Sequence, residues 1–169
     1  MPQTDEKKFR LPHNTVIMSG PEPQRGILRK KLSDILEHME PPTVILEGRP
    51  GGPDVSTRSE NIISFNHLPS DEMRDMITGS SSIITRPGYT SVMELISLNC
   101  SALLIPTPGQ TEQEYLARYL SGKGWFSYVS QKRLDKSITL PALIAPRTSE
   151  IIDESRVLLE KALDELLNQ

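Results

Sequence analysis

The sequence predicts an α/β protein in which a parallel sheet of about six strands carries helices on both faces. Short apolar runs alternate with segments of helical periodicity along most of the chain. The runs are apolar at consecutive positions, which is typical of parallel strands that are buried on both faces. Loops rich in proline and glycine separate the runs from the helices, so the repeating unit is strand, loop, helix.

The strands and helices follow from these patterns. Strands are predicted at residues 15–19, 43–46, 61–65, 83–84, 102–105 and 125–129, the last of them at a sheet edge. Helical spacing of apolar residues follows the first, third, fourth and fifth strands. The expected N-caps of the last three of these helices are Ser70, Thr90 or Ser91, and Thr111.

The remaining segments define the domain organisation. Residues 1–14 are polar without an apolar pattern and predict a linker or disordered terminus. Residues 15–169 predict one domain, which ends in a helix that begins at Thr148 or Ser149. Residues 48–60, rich in glycine, proline and serine, predict a polar loop.

Composition excludes several classes of protein. The net charge of −3 at pH 7 argues against a general nucleic-acid-binding surface. The lone cysteine, Cys100, excludes an internal disulfide and a cysteine-based zinc site, and its place beside an apolar run predicts a small core residue. No apolar run is long enough to cross a membrane and no secretory signal is visible, so a cytoplasmic protein is predicted.

Residues 82–119 hold two consecutive strand–loop–helix units. In a parallel sheet both helices begin at the same edge, where their unpaired N–H groups and positive partial charge favour a phosphate. Arg86 adds a permanent cation at the first loop. Pro87 removes a backbone donor and Gly88 permits a positive φ, so a sharp turn is predicted there.

The same segment resembles a known family. The runs RPGYTSVME at 86–94 and IPTPGQTEQEY at 105–115 are similar to the donor-binding domain of GT-B glycosyltransferases. The likeness is to the MurG-like N-acetylglucosaminyltransferases, glycosyltransferase family 28. It rests on Arg86, Gly88, Thr90, Glu94, Pro106 and Gln113. The resemblance implies a Rossmann-like fold, one half of a GT-B fold, that binds a nucleotide sugar.

The resemblance also implies roles for individual residues. It assigns the nucleotide and its diphosphate to Arg86, Gly88, Thr90, Ser91 and Glu94. Glu94 would accept the ribose hydroxyls, since a carboxylate has two acceptor oxygens. The base would lie near Phe65, Asn66, His67 and Leu68, and the sugar near Gln113 and Glu114. The family commonly has a second glutamine where this chain has Glu114.

The residues leave other interpretations open. Ser91–Glu94 and Thr111–Glu114 both fit a capping box, in which the glutamate bonds back to the N-cap. Another interpretation of Arg86 is a surface arginine that pairs with an acidic residue. Another interpretation of His67 is a structural or surface histidine. The first loop, at 20–26, is glycine-rich in the family and approaches the diphosphate or the acceptor. Here prolines replace two of its N–H donors, which leaves the side chains of Gln24 and Arg25 as substitutes or as the ordinary start of a helix.

The predicted function is the UDP-sugar-binding half of a hexosyl or N-acetylglucosaminyl transferase, with UDP-N-acetylglucosamine as the leading donor. The resemblance implies no cofactor and no metal. It places the catalytic base on an N-terminal acceptor domain or subunit, so this chain alone would bind donor without turnover. Any peripheral membrane association would come through that other half. The alternatives are a non-catalytic binding or regulatory module of the same fold and half of a UDP-sugar 2-epimerase.

Overall fold

The computed structural model describes residues 12–49, 55–59 and 61–140. Its strands are β1 (His13–Ile17), β2 (Thr43–Leu46), β3 (Val55–Arg58), β4 (Ile62–Phe65), β5 (Ser80–Thr85), β6 (Leu103–Leu104) and β7 (Ser127–Tyr128). Its helices are α1 (Gln24–Leu36), α2 (Ser70–Thr78), α3 (Tyr89–Ser97) and α4 (Thr111–Gly122), with a short 3-10 helix at Gln131–Arg133. Helices α1 to α4 thus follow β1, β4, β5 and β6, as predicted.

The described strands form one sheet in the order β3-β4-β2-β1-β5-β6-β7. Every pair from β4 to β7 along this order is parallel, so the prediction of about six parallel strands with β7 at an edge is confirmed. At the centre, Val16 lies between Ile45 on β2 and Ile84 on β5. These apolar residues make the middle of the sheet buried on both faces.

Strand β3 was not predicted. It pairs antiparallel with β4 and forms the edge of the described sheet, within the segment 48–60 that was predicted as a polar loop. Its sequence VSTR has a single apolar residue, so it lacks the apolar run that marked the buried strands. Edge strands need less apolar character than central ones because one side faces solvent. Composition alone therefore indicated a loop.

Helices cover both faces of the sheet, as predicted. One buried cluster joins α2, α3 and α4 to the sheet, through residues that include Met76, Leu95 and Leu120. The other joins α1 to the opposite face, through residues that include Leu28 and Leu32. Cys100 is buried in the first cluster, and desolvation raises the pKa of its thiol, which confirms the core assignment.

The start of the first strand differs from the prediction. β1 begins at His13 rather than Thr15 and ends at Ile17 rather than Ser19. His13 is fully buried, and its Nε2 lies 3.0 Å from the carbonyl oxygen of Met76. Residues 13 and 14 therefore belong to the fold and not to a linker. Residues 1–11 of that predicted linker and the predicted final helix from 148 or 149 lie outside the described residues.

The predicted N-caps are wrong for three helices. The residue before the first helical turn is Pro69 for α2, Gly88 for α3 and Gln110 for α4, and none of them makes a side-chain cap bond. Ser70 and Thr111 are the first residues of their helices. Thr90 and Ser91 lie inside the first turn of α3. Each helix therefore starts one to three residues earlier than the cap chemistry indicated.

Candidate functional site

The loops after β1, β5 and β6 meet at one edge of the sheet. These three strands are neighbours and run parallel, so their carboxyl ends lie side by side, and α1, α3 and α4 all begin there. The chain leaves β1 toward β2 on one side and leaves β5 toward β6 on the other. The point between β1 and β5 is thus a topological switch point, where ligands of open α/β sheets bind. We call this edge the carboxyl edge.

The N-terminus of α3 is open. The Gly88 N–H donates to the carbonyl oxygen of Arg86 at 2.9 Å, which makes a tight turn. Gly88 has a φ of −74°, so the expected positive φ is wrong. The backbone N–H groups of Tyr89, Thr90 and Ser91 have no acceptor among the described residues. Unpaired N–H groups at the start of a helix suit an anion such as a phosphate.

Arg86 is a buried cation at this edge. It is 1% exposed, so the interpretation as a surface arginine is wrong. Its Nη1 donates to the carbonyl oxygen of Ile105 at 3.0 Å and its Nη2 to that of Gln24 at 3.1 Å, while Nε has no partner in the described part of the chain. Desolvation lowers its pKa to about 10, so the group stays charged at neutral pH. Arg86 therefore joins the end of β6 to the start of α1 and places a positive charge beneath the edge.

Glu94 is half-buried on α3, one turn after Thr90. The helix starts at Tyr89, so Ser91 is not its N-cap and the capping-box interpretation is wrong. The Glu94 carboxylate makes no hydrogen bond or ion pair with any residue that the structure describes. It is therefore a free acceptor near an open helix N-terminus.

The N-terminus of α1 is closed by the chain itself. The Glu22 carboxylate accepts the Gly26 N–H at 3.0 Å and the Arg25 Nε–H at 3.3 Å. The Arg25 N–H donates to the carbonyl oxygen of Pro21, and Pro23 has no N–H. A Cβ on Gly26 would lie 3.0 Å from the Glu22 carboxylate, so glycine leaves room for it. The carboxylate takes the place that a phosphate would occupy at the start of a helix.

Replacing Glu22 by alanine is expected to lower the free energy of unfolding by about 1 kcal/mol, because the start of α1 loses its acceptor. Urea unfolding of the full chain would measure this. Replacing Asp34 by alanine is the matched control, since Asp34 is exposed on α1 and makes no hydrogen bond or ion pair among the described residues. Equal midpoints for the two variants would show that Glu22 does not cap α1.

The segment predicted to contact the base is mostly structural. Phe65 and Leu68 are buried in the core. The Asn66 side chain accepts the Arg49 N–H and donates to the Arg49 carbonyl oxygen, both at 2.7 Å, and so fastens the end of β2 to the end of β4. His67 is exposed. The side chains of Phe65, Asn66 and Leu68 are thus engaged in the fold, and the carbonyl oxygens of Phe65 and Asn66 accept the N–H groups of Glu47 and Gly48, so His67 is the exposed side chain of this segment.

The residues predicted to contact the sugar brace the loop before α4. Gln113 Oε1 accepts the Thr107 N–H at 2.9 Å, and Glu114 Oε1 lies 3.4 Å from the Gly109 nitrogen, which donates to it. The N-cap of α4 is Gln110, so the capping box from Thr111 to Glu114 is wrong. The Gln113 amide keeps its N–H donors without an acceptor among the described residues. These donors remain available to a ligand.

Gln131 is a contributor to the carboxyl edge that was not predicted. It is 6% exposed, and its Nε2 donates to Gln24 Oε1 at 3.1 Å. Its carbonyl oxygen accepts the Lys31 ammonium at 3.0 Å. It thus ties the segment after β7 to α1, across a sequence separation of 107 residues that no local pattern signals. The role of Glu22 was not predicted either, although its sequence gives a weak signal: it is an acidic residue between two prolines, directly before a helix.

Residues 12–49, 55–59 and 61–140 hold no group of three or more histidine, cysteine, aspartate or glutamate side chains that could bind a metal ion. None of the helices in this part of the chain is both long enough and apolar enough to span a bilayer.

Two proteins of known name are similar to this chain in sequence. The chain is 29% identical over 104 residues to a UDP-N-acetylglucosamine--N-acetylmuramyl-(pentapeptide) pyrophosphoryl-undecaprenol N-acetylglucosamine transferase of Legionella pneumophila, covering 58% of this chain and 29% of that protein. It is 25% identical over 147 residues to the enzyme of the same name from Lachnospira eligens, covering 83% and 41%. The chain therefore spans less than half the length of these relatives.

Solved structures give the same fold. MurG of Acinetobacter baumannii matches with a TM-score of 0.55 at 21% identity, over 78% of this chain and 40% of that one. The glycotransferase of kitacinnamycin matches with a TM-score of 0.56 at 11% identity, over 80% and 36%. The chain thus has the Rossmann-like architecture of one half of a GT-B glycosyltransferase. The family model described as "Glycosyltransferase family 28 C-terminal domain" matches residues 53–164, which is more than half of the chain. The chain belongs to the family of glycosyltransferase family 28 C-terminal domains.

Proposed function

We propose that this chain is the donor-binding half of a UDP-sugar transferase, with UDP-N-acetylglucosamine as the leading donor. The supporting observation is the open N-terminus of α3, where the unpaired N–H groups of Tyr89, Thr90 and Ser91 stand one turn from the free Glu94 carboxylate. The N–H groups suit a diphosphate and the carboxylate suits ribose hydroxyls. The relatives named for N-acetylglucosamine transfer favour this sugar.

The proposed reaction is displacement of UDP at the anomeric carbon of the sugar by an acceptor hydroxyl. The bond from the anomeric carbon to the diphosphate oxygen breaks, and the new bond forms to the acceptor oxygen. The N–H groups of α3 and the buried Arg86 cation would stabilise the charge that develops on the leaving diphosphate. The acceptor site, and the base that takes the proton of the acceptor hydroxyl, would belong to a separate N-terminal domain or subunit. The chain alone would therefore bind donor without transferring sugar.

Closure of the β1–α1 loop by Glu22 favours a second candidate, a binding or regulatory module that does not turn over donor. In this family the loop approaches the diphosphate or the acceptor. Because the Glu22 carboxylate accepts an N–H group at this loop, fewer N–H groups remain there to bind a leaving diphosphate. The two candidates differ in whether UDP binds at α3.

An amide-resolved NMR titration of the chain with UDP, then UDP-N-acetylglucosamine, would test the proposal, with NAD as the control ligand. Shifts confined to residues 88–94 and to His67, larger for UDP than for NAD, are expected. Additional shifts near Gln113 with the sugar nucleotide would locate the sugar. Absence of any shift at millimolar UDP would contradict donor binding by this chain and favour the module.

A further inference from the structure

A concave surface lies at the carboxyl edge, beside α4 and the segment after β7. It is a cleft of about 390 Å³ between the start of α4 and the segment after β7, and its lining includes Glu114, Arg118, Tyr128, Gln131 and Lys132. We call it the basic cleft. An adjoining depression shares Tyr128 with it and adds Arg133. A space of this size holds a single sugar ring or a molecule like it.

The charge of the basic cleft opposes that of the whole chain. Arg118, Lys132 and Arg133 contribute cations, against the single carboxylate of Glu114, while the chain as a whole carries −3. Arg118 Nη2 lies 3.9 Å from Glu114 Oε2, beyond hydrogen-bond distance, so this pair is loosely held. Lys132 and Arg133 make no ion pair among the described residues. A local excess of cations raises the concentration of anions nearby.

The cleft also has an unused hydrogen-bond acceptor. Gln131 is the buried polar side chain of the lining, and its Nε2 is fixed by the bond to Gln24. Its Oε1 is buried and has no partner among the residues that the structure describes, although the opposite end of the amide is bonded. A buried carbonyl oxygen without a donor is unfavourable, so a ligand hydroxyl that reached Gln131 after a small side-chain rotation would be stabilising.

Tyr128 completes the lining with an aromatic ring. The residue is 42% exposed at the end of β7, and its ring makes no stacking contact with the aromatic residues of the described chain. An exposed aromatic face beside a few polar groups is typical of small-molecule sites. The C–H face of a sugar ring is apolar and packs well on such a ring, while the sugar hydroxyls are free to reach the polar groups.

We propose that the basic cleft binds a sugar that carries a carboxylate or a phosphate group. The anionic group pairs with Lys132 and Arg118, a hydroxyl donates to Gln131, and the sugar ring lies on Tyr128. The site stands on these residues alone and does not require UDP to bind at α3. This proposal rests on the proposed function only for its source: the anionic sugar is either a donor sugar other than the neutral N-acetylglucosamine or part of the acceptor.

Amide-resolved NMR titrations of the full chain with glucose 6-phosphate, glucuronate, glucose and inorganic phosphate would test this. The charged sugars are expected to shift the amides of Gly109, Ser130 and Lys132, and to bind more tightly than glucose or phosphate. Lys132→Gln is expected to weaken their binding about two- to fivefold, as for an exposed charge pair. Lys30→Gln, at an exposed lysine on α1 without a described partner, is the matched control and should leave binding unchanged.

Equal shifts with glucose 6-phosphate and with inorganic phosphate would overturn the sugar assignment, because simple ion attraction would explain both. Equal affinities in the Lys132→Gln and Lys30→Gln variants, or no shifts with any of the four ligands, would overturn the site.

A titration with UDP-glucuronate, compared with one with UDP-glucose, distinguishes the two sources of the anionic sugar, which are the donor and the acceptor. A larger shift in the cleft with UDP-glucuronate identifies the donor sugar as the charged one, and equal shifts identify a separate molecule. Because UDP binding is followed at residues 88–94, failure of the cleft and failure of the donor site are distinguishable.

Discussion

Replacing Arg86 by methionine is expected to lower the free energy of unfolding by about 2–4 kcal/mol, since the buried carbonyl groups of Ile105 and Gln24 lose their donors. Part of that loss is offset because a desolvated cation disappears, as its lowered pKa indicates. Arg86→Lys keeps the charge, but a single ammonium lacks the planar fork that spans both carbonyls. Its stability should therefore fall between those of the wild type and the methionine variant.

Urea unfolding followed by circular dichroism would measure these differences. Arg74→Met is the control, because Arg74 is exposed on α2 and its side chain makes no hydrogen bond or ion pair among the described residues. It should change stability by less than about 0.5 kcal/mol. If Arg86→Met were as stable as Arg74→Met, the two carbonyl contacts would not hold the carboxyl edge together.

Replacing Glu94 by alanine is expected to weaken UDP binding about 10- to 100-fold, because hydrogen bonds to a charged acceptor contribute about 1.5–3 kcal/mol. Stability should change little, since Glu94 does not cap α3 and its carboxylate has no described partner. Glu94→Gln keeps one acceptor oxygen but loses the charge, so an intermediate affinity is expected.

Calorimetric titration with UDP would give these affinities, and thermal unfolding would show that the variants are folded. Asp34→Ala removes an exposed carboxylate from α1 and should bind UDP as the wild type does. An unchanged affinity in Glu94→Ala would refute the ribose role. A loss of both stability and affinity would instead mean that the carboxylate supports the fold.

Most of the sheet was predictable because central parallel strands carry their own signal. Consecutive apolar residues at 44–46 and at 83–84 indicate a strand that is buried on both faces. The same signal failed for β3, an edge strand with one apolar residue. The N-caps also failed, because Pro69, Gly88 and Gln110 precede the three helices, whereas the local rule selected a serine or threonine that lies in the first turn. The packing of the preceding loop decides which residue begins the helix.

By itself, the sequence determined the alternation of strands and helices, the carboxyl edge where the loops meet, and the family to which the chain belongs. Only the tertiary structure decided how that edge is occupied. It buried Arg86 against two carbonyl groups, filled the start of α1 with Glu22 and left the start of α3 open. The physical reason is that local patterns report the burial of apolar residues along one segment. The partner of a polar group at a loop is set by segments that meet only in the fold, as Gln24, Arg86 and Gln131 do.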